Sequence, residues 1–200
     1  MFINEKILRK IMLKAYKGTG LYMGNYDGYF YLGEPFSSGW EAKIAVGCVP
    51  KTILAMMVEC AGEIPQEDEG WTTDKSTVQA EAFKKWSLEE PADPKLVVHT
   101  PLSIQSRGGV LYRLVQLPHN NMLTAVHPAL LYAIDPRCID KENEETMIEG
   151  PYYDGRRGIY AKTNQATFHI WTGNIPETDT IMDILNNADT SYAYDEDPQQ

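Results

Sequence analysis

Two hundred residues, 43% hydrophobic and 23% charged, make an ordinary globular chain, long enough to bury a core without disulfides or a structural metal. The formal net charge of −10 excludes a uniformly basic nucleic-acid binder and a protein drawn to anionic membrane by charge alone. Three cysteines, Cys48, Cys60 and Cys138, cannot all pair within one chain, and none stands in a C-x-x-C, which argues against a disulfide scaffold and a zinc cluster. Cys48 and Cys60 lie among apolar neighbours and read as buried free thiols. The N-terminus interrupts its apolar residues with charges, unlike a signal peptide, and no stretch approaches the roughly 20 apolar residues of a membrane span. The expectation is a cytoplasmic protein of a reducing compartment.

The first element is a helix from about residue 5 to 17. Asn4 is a good N-cap, Ile3 and Leu8 occupy staple positions, and Ile7, Leu8, Ile11, Met12, Ala15 and Tyr16 form an apolar stripe that Gly18 ends. Asp27-Gly28 between the strand formers 21–26 and 29–32 predicts a hairpin with a type I′ turn. That turn puts Tyr22, Tyr26, Tyr29 and Tyr31 toward one face and Met23, Phe30 and Leu32 toward the other. Residues 40–49 alternate as a third strand, and Pro50 opens a helix carrying Ile53, Leu54, Met57 and Val58 that Gly62 ends. Residues 1–62 therefore read as an αβββα unit.

Residues 63–94 read as an acidic, proline-containing connector with a short helix from Ser76, or alternatively a strand over 77–83. Beyond it, 96–99, 102–105, 110–117 and 122–126 read as strands, with turns at 107–109 and 119–121, before a short apolar helix at 128–134. A charged loop at 140–149, a hairpin with its tip at 154–158, a strand over 166–172 and a helix near 179–187 complete the C-terminal unit, 95–187. The two units are expected to share a core, and 188–200 form an acidic tail. The class is α+β: antiparallel β-meander sheets covered by helices, with a pseudo-duplication of the αβββα unit left open.

No catalytic, cofactor or metal-binding motif stands out. Gly18-Thr-Gly-Leu-Tyr-Met-Gly24 lies between helix and strand, the reverse of a dinucleotide-binding loop, and reads as a helix cap and strand entry. His99, His119, His127 and His169 show no metal-ligand spacing, and His127 is placed to cap the helix that follows it. An enzymatic alternative rests on Cys138, whose thiol pKa Arg137 would lower, meeting His127 or the Arg156-Arg157 turn in one cleft. The candidate binding residues are Tyr22, Tyr26, Tyr29 and Tyr31 on the first hairpin, and Tyr152, Tyr153, Arg156 and Arg157 on the last, because tyrosine and arginine are enriched in interface hot spots. Candidate partner-facing acids are Glu67, Asp68 and Glu69 in one block and Glu142, Glu144 and Glu145 in another. The first hundred residues carry a net charge of −3 and the second hundred −7, yet Lys6, Arg9, Lys10, Lys14 and Lys17 make the first helix basic.

The opening Ile3-Asn-Glu-Lys-Ile-Leu-Arg-Lys-Ile-Met-Leu-Lys-Ala-Tyr-Lys-Gly18 and the tyrosine-rich hairpin after it resemble the start of small uncharacterised phage and prophage proteins. The resemblance covers about the first third of the chain and carries no active-site residue. It implies a non-enzymatic inhibitor of the anti-CRISPR kind, acting on a basic nucleic-acid-binding defence protein such as a CRISPR nuclease. A second analogy, to processivity clamps, implies a replication accessory protein; a nucleotide- or nucleic-acid-handling enzyme is the other alternative. The expected partner is a protein, with direct nucleic-acid contact disfavoured by the net charge, no membrane and a homodimer left open.

Overall fold

The computed structural model describes residues 1–35, 39–80, 88, 90–156, 158–172 and 179–188. Helix α1 (Glu5–Lys17) starts where Asn4 Oδ1 accepts the Ile7 N–H at 3.2 Å, and it buries Leu8, Ile11, Met12 and Ala15. The N–H groups of Gly18 and Gly20 both donate to the Ala15 carbonyl, but the left-handed residue that turns the chain is Gly20, at φ +98°.

Strands β1 (Leu21–Tyr26) and β2 (Tyr29–Gly33) form the expected hairpin, with Asp27 and Gly28 at φ +52° and +77° and Tyr26 opposite Tyr29. Met23, Phe30 and Leu32 face the main core, while Tyr22, Tyr26 and Tyr31 cluster on the other face. Strand β3 (Trp40–Ala45) ends earlier than the alternation predicts. Val46–Cys48 instead form a 3₁₀ turn, where the Val46 N–H donates to the Gly28 carbonyl and draws the chain round the hairpin tip. Helix α2 (Lys51–Ala61) follows with Pro50 as its N-cap and Gly62 at φ +91° closing it. Ile53, Met56, Met57 and Cys60 are its buried stripe; Val58, expected on that stripe, is exposed.

The acidic segment expected to be a connector holds strand β4 (Glu69–Thr73), which pairs antiparallel with β1. Its Gly70-Trp-Thr-Thr73 fits the open edge of β1, a long-range pairing that overrides the turn-rich composition. Ser76 opens no helix: Asp74 Oδ1 accepts the N–H groups of Ser76 and Thr77 in a tight turn, leading into β5 (Val78–Ala80). The remainder of that expected helix, 81–87, lies outside the described residues.

Strands β6 (Lys95–Leu96), β7 (Val98–Gln105), β8 (Leu111–Gln116) and β9 (Leu123–Val126) precede helix α3 (Pro128–Leu131), which His127 caps through the Ala129 N–H. Strands β10 (Glu149–Tyr153), β11 (Gly158–Lys162) and β12 (Ala166–Trp171) and helix α4 (Asp179–Asn187) complete the fold. The nine-stranded sheet runs β5-β4-β1-β2-β3-β12-β11-β10-β6, and β7-β8-β9 form a second, three-stranded sheet. Both are antiparallel, and the α+β class holds. The meanders β1–β3 and β7–β9 sit in different sheets, so the first meander continues into β12 and not into its presumed copy.

The main core lies on one face of the large sheet, where Trp40, Ile44, Phe168 and Ile170 meet α1, α2 and the inner residues Val115 and Val126 of the small sheet. Met182 and Leu185 of α4 pack against Ile104, Leu114, Leu123 and Ala125 in a satellite core. On the opposite face of the large sheet, Gly24 and Gly70 pair across β1 and β4 beneath the Tyr22 and Tyr26 rings. A Cβ at Gly24 would sit 2.6 Å from the Tyr22 hydroxyl and 2.7 Å from Tyr26 Cε2. Gly24→Val is therefore expected to displace both rings and to lower stability by about 1–3 kcal/mol, measured by chemical denaturation.

Candidate functional site

Strand direction and register bring two distant parts of the sequence to one end of the large sheet. Glu69 of β4 pairs with Asn25 at the end of β1, and the Asp27-Gly28 tip joins β1 to β2. Ile44, at the end of β3, pairs with Ala166, at the start of β12, and Lys162, closing β11, pairs with Glu149, opening β10. The loop 140–146 is fastened to the β11–β12 turn: Gln165 Nε2 donates to the Asn143 carbonyl, Asn164 Nδ2 to the Glu144 carbonyl, and the Thr146 N–H to Asn164 Oδ1. On the far side, the Asp68 N–H donates to the Asn25 carbonyl, and Asp68 takes φ +64° to turn into β4.

The result is an acidic end. Asp27, Glu67, Asp68, Glu69, Glu142, Glu144 and Glu149 are all exposed there, distributed from β4 to β10. Six strand spacings separate those edges, roughly 29 Å at about 4.8 Å each. Among the described cations of this end, Lys162 pairs with Glu90 and lies 4.0 Å from Glu149, Lys43 lies 4.2 Å over the Tyr29 ring, Lys141 is exposed, and exposed Lys51 shares a cleft with Asp140. Glu69 also serves the turn itself, its Oε2 accepting the Gln66 N–H at 2.8 Å.

Glu145, expected to face a partner, is turned inward. Its Oε2 pairs with the Met1 ammonium at 2.9 Å and accepts the Asp140 N–H, while its Oε1 accepts the Phe2 N–H and the Thr163 hydroxyl. The carboxylate is fully buried, because it closes the seam between the N-terminus and the 140–146 loop.

The tyrosines divide differently from expectation. Tyr22, Tyr26 and Tyr31 are buried, at 4%, 7% and 6% exposure, and only Tyr29 of that group is half-buried. Burial pushes the Tyr26 and Tyr31 phenols up. These three are therefore an internal layer, not an accessible hot-spot surface. On the last hairpin, Tyr153 donates its hydroxyl to the Arg156 carbonyl at 2.7 Å and stacks on the exposed His119 ring, with centroids 4.8 Å apart. Tyr152 faces the other side, against Tyr160, and Arg156 is exposed at the tip. Arg157 lies outside the described residues. The two tyrosine groups are four strand spacings apart, roughly 19 Å, and do not form one surface.

One polar cluster was not foreseen. His169, completely buried, has Nε2 3.0 Å from Asp154 Oδ2 and Nδ1 3.6 Å from Glu41 Oε2. Asp154 also accepts the N–H groups of Arg156 and Gly158, which locks the β10–β11 tip, and Trp171 meets the imidazole edge-on. Burial by itself would lower the His169 pKa, but Asp154 and Glu41 outweigh it and hold the ring protonated above its ordinary range. Glu41 and His169 occupy solvent-type positions of two alternating strands, but only the register Glu41↔His169 reveals the pairing.

Among the described residues of the enzymatic alternative, Cys138 lines a cleft that neither His127 nor Arg156 borders. Cys138 and Cys48 line a polar cleft of about 510 Å³ with Glu5, Lys51, Asp140 and Asn143. Burial raises both thiols, and Arg137 gives Cys138 little help because Asp135 holds its guanidinium at 2.9 Å. Cys48 is half-exposed, not buried as its neighbours suggest; Cys60 is buried and its thiol is pushed up to about 11. His99 borders a different, apolar cleft of about 330 Å³ with Leu131, Ile139, Met147 and Pro151. His127 caps α3 and meets Tyr112 edge-on. Among the described residues, no group of three or more potential metal ligands converges, and no helix is long and apolar enough to cross a membrane.

Neither the protein-family models nor the curated proteins give a match to this chain. Among solved structures, the DNA polymerase III beta subunit of Thermotoga maritima aligns over 88% of this chain, with 13% identity and a TM-score of 0.35. The alignment spans 64% of that longer chain, and overlap at this level leaves the architecture to be described on its own terms.

Proposed function

We propose that this chain is a protein-binding protein whose acidic end docks on the basic, nucleic-acid-binding surface of its partner, as an inhibitor of a defence nuclease would. The observation that supports the reading is the convergence of two acidic blocks, 67–69 and 142–149, from distant parts of the sequence onto one end of one sheet. Seven exposed carboxylates over roughly 29 Å present a line of negative charge at the end of one sheet, the arrangement that competes with a phosphate backbone for the same cations. The separation of Cys138, His127 and His99 into different surroundings favours this reading over the enzymatic one.

The test is binding to a panel of purified basic nucleases, CRISPR effectors among them, at low and high salt. A Glu67→Lys, Asp68→Lys, Glu142→Lys variant is expected to bind at least tenfold more weakly than the parent, and the parent's affinity is expected to fall as salt rises. Salt-insensitive binding, or binding that the charge-reversed variant retains, would sink the proposal.

A further inference from the structure

The exposed side of α1 is unlike the rest of this acidic molecule. With Leu8, Ile11, Met12 and Ala15 in the core, the helix presents Lys6, Arg9, Lys10, Lys14 and Lys17 to solvent, with Leu13 among them. Among the described residues, none of the five makes an ion pair. Ordinary protein surfaces intersperse both signs, whereas this stripe carries one sign over twelve residues, about 16 Å at 1.5 Å per step. Glu5 opens the helix and accepts the Thr52 hydroxyl, α2 adds exposed Lys51 and Glu59, and His127 is close enough to Lys14 for its pKa to be lowered, after burial, by that charge.

We propose that the exposed face of α1 binds the phosphate backbone of duplex DNA without sequence preference. One strand of B-DNA carries a phosphate every 3.4 Å or so along the axis, so about 16 Å of duplex offers about five phosphates to five cations. A membrane surface fits less well, because the apolar side of α1 is already spent in the core and Leu13 is the only large apolar residue in the stripe. The acidic end does not cancel this field over the C-terminal half of the helix. Glu5 marks the helix end nearest to it, sharing a cleft with Asp140 and Asn143, and Lys17 lies about 18 Å further along the axis. Lys14 and Lys17, about 13.5 and 18 Å from Glu5 along the axis, lie beyond the Debye length of about 8 Å at physiological ionic strength, whereas Lys6, Arg9 and Lys10 lie within it. The net charge therefore disfavours nucleic acid only as an average over the molecule. This inference uses a different surface from the acidic end and stands or falls separately from it.

The experiment is fluorescence polarisation of a labelled 20-base-pair duplex of arbitrary sequence with the full chain at 50 and 200 mM salt. Five phosphate contacts would give a log–log salt slope of about −4.5, a loss of affinity of about 500-fold between the two conditions. Lys10→Glu with Lys14→Glu is expected to weaken binding at least tenfold and to flatten the salt slope, and Lys10→Gln with Lys14→Gln to do so less strongly. Circular dichroism checks that each variant is folded. Glu67→Lys with Asp68→Lys, at the acidic end, is expected to leave duplex binding undiminished. Absence of binding at 50 mM salt would overturn the proposal, as would equal binding by the folded α1 variants. So would a preference for phosphatidylserine vesicles over the duplex, or self-association that the acidic-end variant abolishes while no duplex is bound.

Discussion

Glu145→Gln is expected to destabilise the protein by about 3–5 kcal/mol, among the largest losses that one substitution in this fold would produce. The carboxylate is buried and holds the Met1 ammonium, the N–H groups of Phe2 and Asp140 and the Thr163 hydroxyl at once. Glutamine fills the same volume but leaves the ammonium uncompensated and turns one acceptor into a donor facing donors. Burial alone would raise the Glu145 pKa; the four hydrogen-bonded partners outweigh it and hold the carboxyl below its ordinary 4.5. Because the folded-state value is lowered, the stabilisation is complete above the ordinary value and is lost as pH falls through the lowered one. Urea denaturation from pH 7 down to 3 checks both statements. The parent should lose stability in acid, and the variant should start lower and lose less. Equal stability of the two at pH 7 would refute the assignment.

His169→Ala is expected to cost a comparable amount, about 3–5 kcal/mol, because it removes the imidazolium that faces Asp154 Oδ2 and Glu41 in a buried site. The His169 pKa is raised above its ordinary 6.5, and that of Asp154 is lowered below 3.8 because hydrogen bonds from His169, Arg156 and Gly158 overcome the effect of burial. The two shifts set opposite limits. The histidine's contribution is complete below about pH 6.5 and is lost as pH rises through its raised value; the aspartate's is complete above its ordinary value and is lost as pH falls through its lowered one. Denaturation between pH 5 and 10 should therefore show an alkaline decline in the parent that His169→Gln removes. Parallel curves for the two proteins would mean that the imidazole is not charged in the fold. The packing is close: a Cβ at Gly158 would collide with His169 Nε2 and Asp154 Oδ2, which is why the tip requires glycine there.

Elements with a complete local signal were legible. The Asn4 cap and apolar stripe placed α1, Asp27-Gly28 placed the first hairpin, and Gly62 placed the end of α2, because each of these signals acts within one turn of its own backbone. The acidic blocks were legible as charge but not as a site, since nothing between 67 and 149 says that their strands share an end. Strand β4 was hidden because its partner β1 lies some fifty residues upstream and its own composition resembles a loop. The alternation of the first hairpin gives the correct face for its tyrosines, yet whether that face is open is a property of what packs on it, and three of the four are buried.

The sequence by itself determined the α+β class, most of the helices and hairpins, the segregation of negative charge into blocks and the basic character of α1. The tertiary structure decided which strands pair, and with that everything that depends on juxtaposition. Joining β3 to β12 built the Glu41–His169–Asp154 cluster and set the two acidic blocks on one end of a sheet. The fold turned Glu145 inward onto the Met1 ammonium. The physical reason is that caps and turns are read from neighbouring residues, whereas strand pairing is chosen by the burial of whole faces, which no local stretch contains.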